Sequence, residues 1–427
     1  MTVAPRAYLV ALGLLVAALG LSACGGGDSG GGGGASEAKT LQPSDAQNAS
    51  GSVTWCIGKD TSGAFKTAVD KFNAQNPKLE AKLLELPENA DIQREQQIQR
   101  LRAESNECDV LGMDVIWTAE YAASGWLYDL TPVVEEHEGE FIPSTVETTE
   151  YEGKRWAIPF NTNAGFLFYR TDEVPKPPST WEEVYKKAKE DNGLVYQGER
   201  YEGLTVNFLE LLYSAGGKAL SEDGETVEID SPETREVLDF MRKGIEEGAV
   251  AKAVTTYEEE SSRRAFEAGN ATFMRNWPYA YALGKESNIA GDFEVTKFPG
   301  FGGNEGAGVV GGYNLGISAF TDNPDGSLAF AEFLVTEPVQ KEMFLKATLP
   351  AVVTGVYEDP EVKKEIPFTE ELLKAVEQAQ ARPVSPVYTE ISEAIFNNVF
   401  EVLNGRQSSD AAASQMNSEI EDALKRF

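Results

Sequence analysis

Histidine is almost missing from these 427 residues: a single one, His137, sits in the acidic run Glu135-Glu136-His137-Glu138. That count excludes a metal centre built on several histidines and any catalytic scheme needing a buried histidine elsewhere. His137 itself reads as an exposed loop residue. Positive charge is scarce as well. Lys and Arg number 37 against 69 Asp and Glu, for a net charge of −32. No basic cluster is dense enough to neutralise a run of phosphates, so no nucleic-acid partner is expected. With only three cysteines and no CxxC spacing, a dithiol redox motif or a zinc ribbon is excluded. The apolar segment over residues 9–19 is too short for a membrane-spanning helix, which needs about 20 apolar residues.

What is present begins at the N-terminus. Arg6 and the apolar segment precede Leu21-Ser22-Ala23-Cys24, and a run of glycines follows. The arrangement resembles a bacterial lipoprotein signal. It implies a signal peptide over residues 1–23, cleavage before Cys24, and lipid on the Cys24 sulfur. An ordinary secretory peptide with an incidental cysteine is the plainer alternative. Several acyl chains give lasting membrane attachment where one does not. A Gly-rich tether over residues 24–51 would let the folded part move about above the bilayer. With Cys24 lipidated, Cys56 and Cys108 remain, and outside the cytoplasm two thiols tend to be oxidised. If the apolar runs around 53–57 and 109–113 are neighbouring strands, a bridge is easy. Two buried free thiols are the alternative.

Residues 53–57 read as a buried strand. A turn follows over 58–63, then a helix with Phe65, Ala68, Val69 and Phe72 at three- and four-residue spacing. A second strand over 79–86, a second helix over 91–105 and a third strand over 110–115 complete a β-α-β-α-β order. Such an order implies parallel strands, right-handed crossovers and ligands at the carboxyl ends of the strands. Asp114 and Trp117 stand at that end of the third strand. In the plainer reading Trp117 is core and Asp114 caps a helix over 119–124. A hairpin over 151–156 and a strand over 166–170 flank Asn161 and Asn163, two amides in an apolar passage that need partners if buried.

Beyond Tyr169 helices dominate. The signals are a capping box at 179–183, apolar residues at helical spacing over 207–215, a turn at Asp223-Gly224 and a helix start at Ser231-Pro232. Glu258, Glu259, Glu260, Arg263 and Arg264 read mainly as a solvated face. The stretch 269–281 opens on Gly269-Asn270, continues as a short strand over 271–274, and then sets Trp277, Tyr279 and Tyr281 around Pro278. Pro278 has no N–H and a fixed φ, so it stops the strand. A Trp just past a strand end either closes a core or offers a flat face to a ligand, and the motif alone does not decide. Many glycines over 306–316 beside Tyr313 point to close backbone approach or a bend between lobes. They lack the features of a nucleotide-binding loop.

Taken together, four motifs carry a resemblance that covers residues 53–427. They are Met113-Asp114-Val115-Ile116-Trp117-Thr118, Arg275-Asn276-Trp277-Pro278-Tyr279, Gly311-Gly312-Tyr313-Asn314-Leu315-Gly316 and Ala381-Arg382-Pro383-Val384. The chain resembles extracytoplasmic solute-binding proteins of bacterial ABC importers, solute-binding protein family 1, and more narrowly their trehalose/maltose-binding branch. The resemblance implies an α/β, two-lobe periplasmic-binding-protein fold of the class II type. Each lobe would be a mainly parallel sheet flanked by helices, joined by hinge crossings near 159–162, 311–314 and 374–380. It implies an N-terminal lobe over 52–160 and 313–376, and a C-terminal lobe over 161–312 and 377–427.

The same resemblance implies ligand contacts from Asp114, Asn161, Asn163, Trp277, Tyr279, Gly312, Tyr313 and Arg382, with Arg94 and Asp60 added by a looser alignment. Two positions depart from the family pattern. Asn163 stands where a carboxylate often follows Thr, and Tyr313 where many members have Trp. The implied function is capture of a trehalose- or maltose-type disaccharide between the lobes and delivery to membrane permease subunits. That role needs no cofactor, no metal and no catalysis, and a monomer suffices. The rival from another class is a lipid-anchored glycoside hydrolase, which needs two carboxyls flanking the scissile bond. Asp114 with Glu259 or Glu260 is the pair that could be nominated. A receptor for another solute, such as an oligosaccharide, polyol or glycerophosphodiester, is the other rival.

Overall fold

The structure, a computed structural model, describes residues 38–221 and 224–426. Cys24, the signal segment and the first part of the expected tether lie outside these residues, as does Asp223 of the expected turn. On either side of that turn, Leu220 and Val227 form an antiparallel bridge. The end of the expected tether is packed against the fold. Leu41 is buried and its N–H donates to the carbonyl of Asp129 at 3.0 Å, and a 3-10 turn follows over Pro43–Asn48. No helix among the described residues is long and apolar enough to cross a membrane.

The first lobe follows the expected order: β1 (Gly51–Gly58), α1 (Ala64–Gln75), β2 (Leu79–Leu86), α2 (Ala90–Arg102) and β3 (Val110–Asp114). α1 turns Phe65, Ala68, Val69 and Phe72 inward, the four residues whose spacing predicts it. A short helix α3 (Thr118–Ala123) follows, with Trp117 buried beside it. The hairpin of β4 (Glu150–Tyr151) and β5 (Lys154–Arg155) turns through Glu152 and Gly153, both at positive φ, and leads into β6 (Ile158–Asn163). Then β7 (Phe166–Arg170), β8 (Leu194–Val195), β9 (Phe273–Asn276) and β10 (Phe293–Thr296) build a second sheet, before β11 (Gly311–Ile317) returns to the first.

The first sheet has the order β2-β1-β3-β11-β6. Its β1–β2 and β1–β3 pairs are parallel, while β11 runs antiparallel to both β3 and β6. The second sheet has the order β10-β7-β9-β8, and there β10–β7 and β7–β9 are antiparallel, with only β8–β9 parallel. The α/β two-lobe class is as expected, but the second sheet is mixed rather than mainly parallel. β7 follows β6 after only two residues, which fixes its direction. β9 and β10 run the other way and pair against it, as antiparallel strands can without a helical crossover.

Trp55 is the hub of the first lobe, its ring within 5.0 Å of Phe65, 5.3 Å of Phe160 and 5.8 Å of Phe330. Phe168, Phe266 and Phe293 form the corresponding aromatic cluster in the second lobe. There the helix Glu202–Ser214 is buried along its whole length, because the helices Pro232–Glu246 and Tyr388–Leu403 pack on it. Cys56 and Cys108 are bridged, with their Cα atoms 5.6 Å apart. The bridge ties β1 to the entry of β3, as neighbouring strands permit.

The chain passes between the lobes three times. Residues 161–163 and 311–312 are still paired within the first sheet, so the first two crossings fall at Ala164-Gly165 and over 297–310. The third runs over 379–387. The second and third are bonded to each other: Val310 N–H donates to the Gln380 carbonyl and Gln380 N–H to the Gly308 carbonyl, both at 2.9 Å.

Candidate functional site

Where the crossings and the ends of both sheets meet, they enclose a cleft of about 180 Å³. Nine of the ten residues expected at a ligand line it: Asp60, Asp114, Asn161, Asn163, Trp277, Tyr279, Gly312, Tyr313 and Arg382. The tenth, Arg94, is not among the lining residues. Its guanidinium is turned to Glu120 of α3, with Nε–H donating to the carboxylate at 2.8 Å. Asp60 lines the cleft while its carboxylate accepts from Ser62 N–H at 2.8 Å and Phe65 N–H at 2.9 Å, which fastens the start of α1.

Arg382 joins three parts of the chain. From the third crossing it donates to Asp114 Oδ1 on the first sheet at 2.6 Å, to Glu202 Oε1 of the second lobe at 2.7 Å, and to the Val310 carbonyl at 3.3 Å. Burial alone would weaken its charge, but the carboxylates of Asp114 and Glu202 hold it firmly protonated. Two charge-assisted bonds to separate carboxylates suit the fixed fork of a guanidinium.

Trp277 sits just past the end of β9. One face of its ring is covered by the guanidinium of Arg275, whose central carbon lies 4.0 Å from the ring centroid. Arg275 is held in turn by Glu210 at 2.8 and 2.5 Å and by Gln197 at 2.9 Å, all of them buried. A side chain added at Gly311 would meet the Trp277 ring at 3.0 Å, so that edge is fenced too. β9 stops at Asn276, and a helix over Tyr279–Lys285 begins almost at once, with Pro278 at its N-cap. Tyr279 donates its hydroxyl to Glu260 at 2.9 Å. Tyr281 packs edge-on against Phe293 and Phe368 in the core.

The end of β6, just before the first crossing, supplies a row of polar atoms. Asn161 Nδ2, Thr162 Oγ1 and Asn163 Oδ1 are buried and have no partner in the protein. Buried polar groups are nearly always satisfied, so three unsatisfied ones in consecutive residues, two of which line a cleft, mark it as a place for polar contacts. Opposite them, Tyr313 donates its hydroxyl to Gln93 Oε1 of α2 at 3.1 Å and remains partly exposed at the cleft. Gly312 has φ +115°, and an added Cβ would lie 2.2 Å from the Asn161 carbonyl. Only glycine fits there.

Several lining residues escape a sequence reading. Tyr201 and Glu202 start the buried helix of the second lobe, and Glu202 accepts from Arg382, Tyr388 and Ser392. An acidic residue heading an otherwise apolar helical run is the one local sign of it. Glu258, Glu259 and Glu260 also line the cleft, so they are not simply a solvated face. Glu259 accepts from Tyr201 at 2.6 Å, and burial raises its carboxyl above the ordinary range. Burial acts the same way on Glu260, but Arg263, bonded at 2.6 and 3.0 Å, brings it below that range.

Comparison with known proteins places this geometry. Residues 58–341 match the family described as bacterial extracellular solute-binding protein. A probable ABC transporter-binding protein of Deinococcus radiodurans is 31% identical over 361 residues, covering 79% of this chain and 85% of that protein. Maltose-bound MalE3 of T. maritima superposes with a TM-score of 0.83 at 34% identity, covering 87% of this chain and 99% of that one. The GacH receptor of Streptomyces glaucescens, solved unliganded and with acarbose, shares the fold at a TM-score of 0.80 and 24% identity, covering 88% and 99%. The chain therefore belongs to the bacterial extracellular solute-binding proteins, as a solute-binding protein of an ABC transporter.

Proposed function

We propose that the chain captures a disaccharide of the trehalose or maltose type in this cleft and delivers it to the permease of its importer. One juxtaposition carries the reading. Trp277, one face backed by Arg275, lies at the same cleft as the unpartnered buried amide nitrogen of Asn161. A pyranose has an apolar C–H face and a rim of hydroxyls. The exposed part of an aromatic ring covers the face, and the free amide atoms of Asn161 and Asn163 bond the rim. Asp114 and Arg382 add charge-assisted bonds, each worth roughly 1.5–3 kcal/mol net, so three or four account for micromolar affinity after association costs.

The similar protein of T. maritima, at 34% identity, holds maltose. Lobe closure over the sugar is then a population shift driven by contacts made only when the lobes are together. The mature chain acts as a monomer tethered by lipid on Cys24. Its lobes comprise 52–160 with 313–376, and 161–312 with 377–427, apart from a few residues at the crossings.

Thermal-shift and calorimetric titration with trehalose, maltose, sucrose and longer glucans tests this. The expected result is a melting temperature that rises with the concentration of one disaccharide. A response to a polyol or glycerophosphodiester alone would transfer the site to another solute. Reducing sugar released on incubation would mean a glycoside hydrolase.

A further inference from the structure

The two lobes also meet at the start of α2. Asn89, the N-cap of α2, donates from Nδ2 to Glu258 Oε1 of the second lobe at 2.7 Å. Two residues on, Asp91 Oδ2 accepts from the backbone N–H of Glu202 at 3.3 Å. Asp91 belongs to the first lobe and Glu202 to the second, so this contact exists only while the lobes are together.

The company Asp91 keeps there is mostly negative. Glu202 faces it from the helix Glu202–Ser214 and Glu393 from the helix Tyr388–Leu403. The nearby cation, Arg94 on α2 itself, is already paired with Glu120 and also faces Glu390. Burial raises the Glu202 carboxyl as well, but its bonds from Arg382, Tyr388 and Ser392 pull the other way, whereas Asp91 is held by a backbone N–H. The first turn of a helix ordinarily favours an ionised Asp, and so does the bond from Glu202 N–H. At this seam burial and the Glu202 charge act against both.

We propose that Asp91 holds a proton while the lobes are together and gives it up when they part, so that sugar capture takes up a proton at this seam. The inference rests on the cleft being the sugar site. Burial first, and the Glu202 charge next, push the Asp91 carboxyl up from its ordinary 3.8 to about 7. The sign follows from linkage. A carboxyl whose pKa is higher in the closed form favours closure when protonated. That contribution is full below the open-form value and fades as pH rises through the closed-form value. Sugar affinity should therefore rise on the order of tenfold between pH 8 and pH 5.5.

Calorimetry of the whole chain with maltose at pH 6, in two buffers of different ionisation enthalpy, tests the proposal. The expected result is a binding heat that depends on the buffer and corresponds to uptake of about one proton. Asp91→Asn keeps the shape and the acceptor but cannot titrate. It should bind maltose at pH 8 as tightly as the native chain does at pH 5.5, with no dependence on pH or buffer. A native affinity that is flat with pH, with no proton uptake, would overturn the proposal, and so would an Asn variant with the native pH profile. The proton count on the native chain decides the matter even if the variant fails to fold. No binding of maltose, trehalose or sucrose at any pH would instead overturn the sugar reading itself.

Discussion

The Arg275 guanidinium lies over the ring of Trp277, its central carbon 4.0 Å from the ring centroid. They are two residues apart at the outgoing end of β9, so both side chains leave the strand on the same side. Arg275 is anchored by Glu210 and Gln197, which makes Trp277 a fixed plate rather than a swinging ring. Removing the plate should act on the ligand and little else. Trp277→Ala is expected to weaken disaccharide binding at least tenfold, which is about 1.4 kcal/mol, with the melting temperature of the free protein changed far less. Unchanged calorimetric affinity would mean the sugar lies elsewhere.

The Glu210–Arg275 pair should behave in the opposite way. Both side chains are almost fully buried, at 3% and 2% exposure. Glu210→Ala would leave the guanidinium buried without its carboxylate, at a cost of about 3–5 kcal/mol. Urea unfolding should show that loss directly. A midpoint near that of the native protein would contradict it.

Arg382 is tested best by a conservative change. Its two arms reach carboxylates on different lobes, Asp114 and Glu202. A lysine keeps the charge but cannot make both bonds with one ammonium in that geometry. Arg382→Lys is therefore expected to lose at least tenfold in sugar affinity, nearly as much as Arg382→Ala. Full recovery of binding by lysine would show that charge alone matters.

Stability should also depend on redox state. The bridge between Cys56 and Cys108 spans 52 residues, and closing a loop of that length restricts the unfolded chain enough to stabilise the fold by about 4 kcal/mol. Unfolding in urea with and without a strong thiol reductant measures this. Equal midpoints, with the bridge shown to be reduced, would refute it.

Much of the first lobe was legible because its signals are local. The 3.6-residue spacing of Phe65, Ala68, Val69 and Phe72, between two apolar runs, is decided within about twenty residues. Trp277, Gly312 and Arg382 were reachable through short motifs, and the structure brings them to one cleft. Glu202 was not. It is one of 69 acidic residues, and what sets it apart is a partner 180 positions away. Glu258, Glu259 and Glu260 beside Arg263 carry the pattern of an exposed helical face, and only the fold turns them towards the cleft. The mixed second sheet was hidden for a similar reason. Strand direction there follows from how two short segments, β9 and β10, return to the sheet, β9 after a long helical excursion and β10 after one short helix, and no residue pattern records that. Arg94 is the reverse case: it rests on the looser part of the resemblance, in none of the four motifs, and its side chain is committed to Glu120 away from the cleft lining.

Bonding between Val310 and Gln380, and between Gln380 and Gly308, has a mechanical consequence. Two of the three links between the lobes form one ribbon, and the link at Ala164-Gly165 stands apart from it. Two separated attachments define an axis, as a pair of door hinges does. Swinging about that axis bends only a few backbone torsions, while twisting or sliding would have to break the ribbon's bonds. The linkage thus selects the direction of travel in advance, and a bound molecule has only to set how far the door stands open.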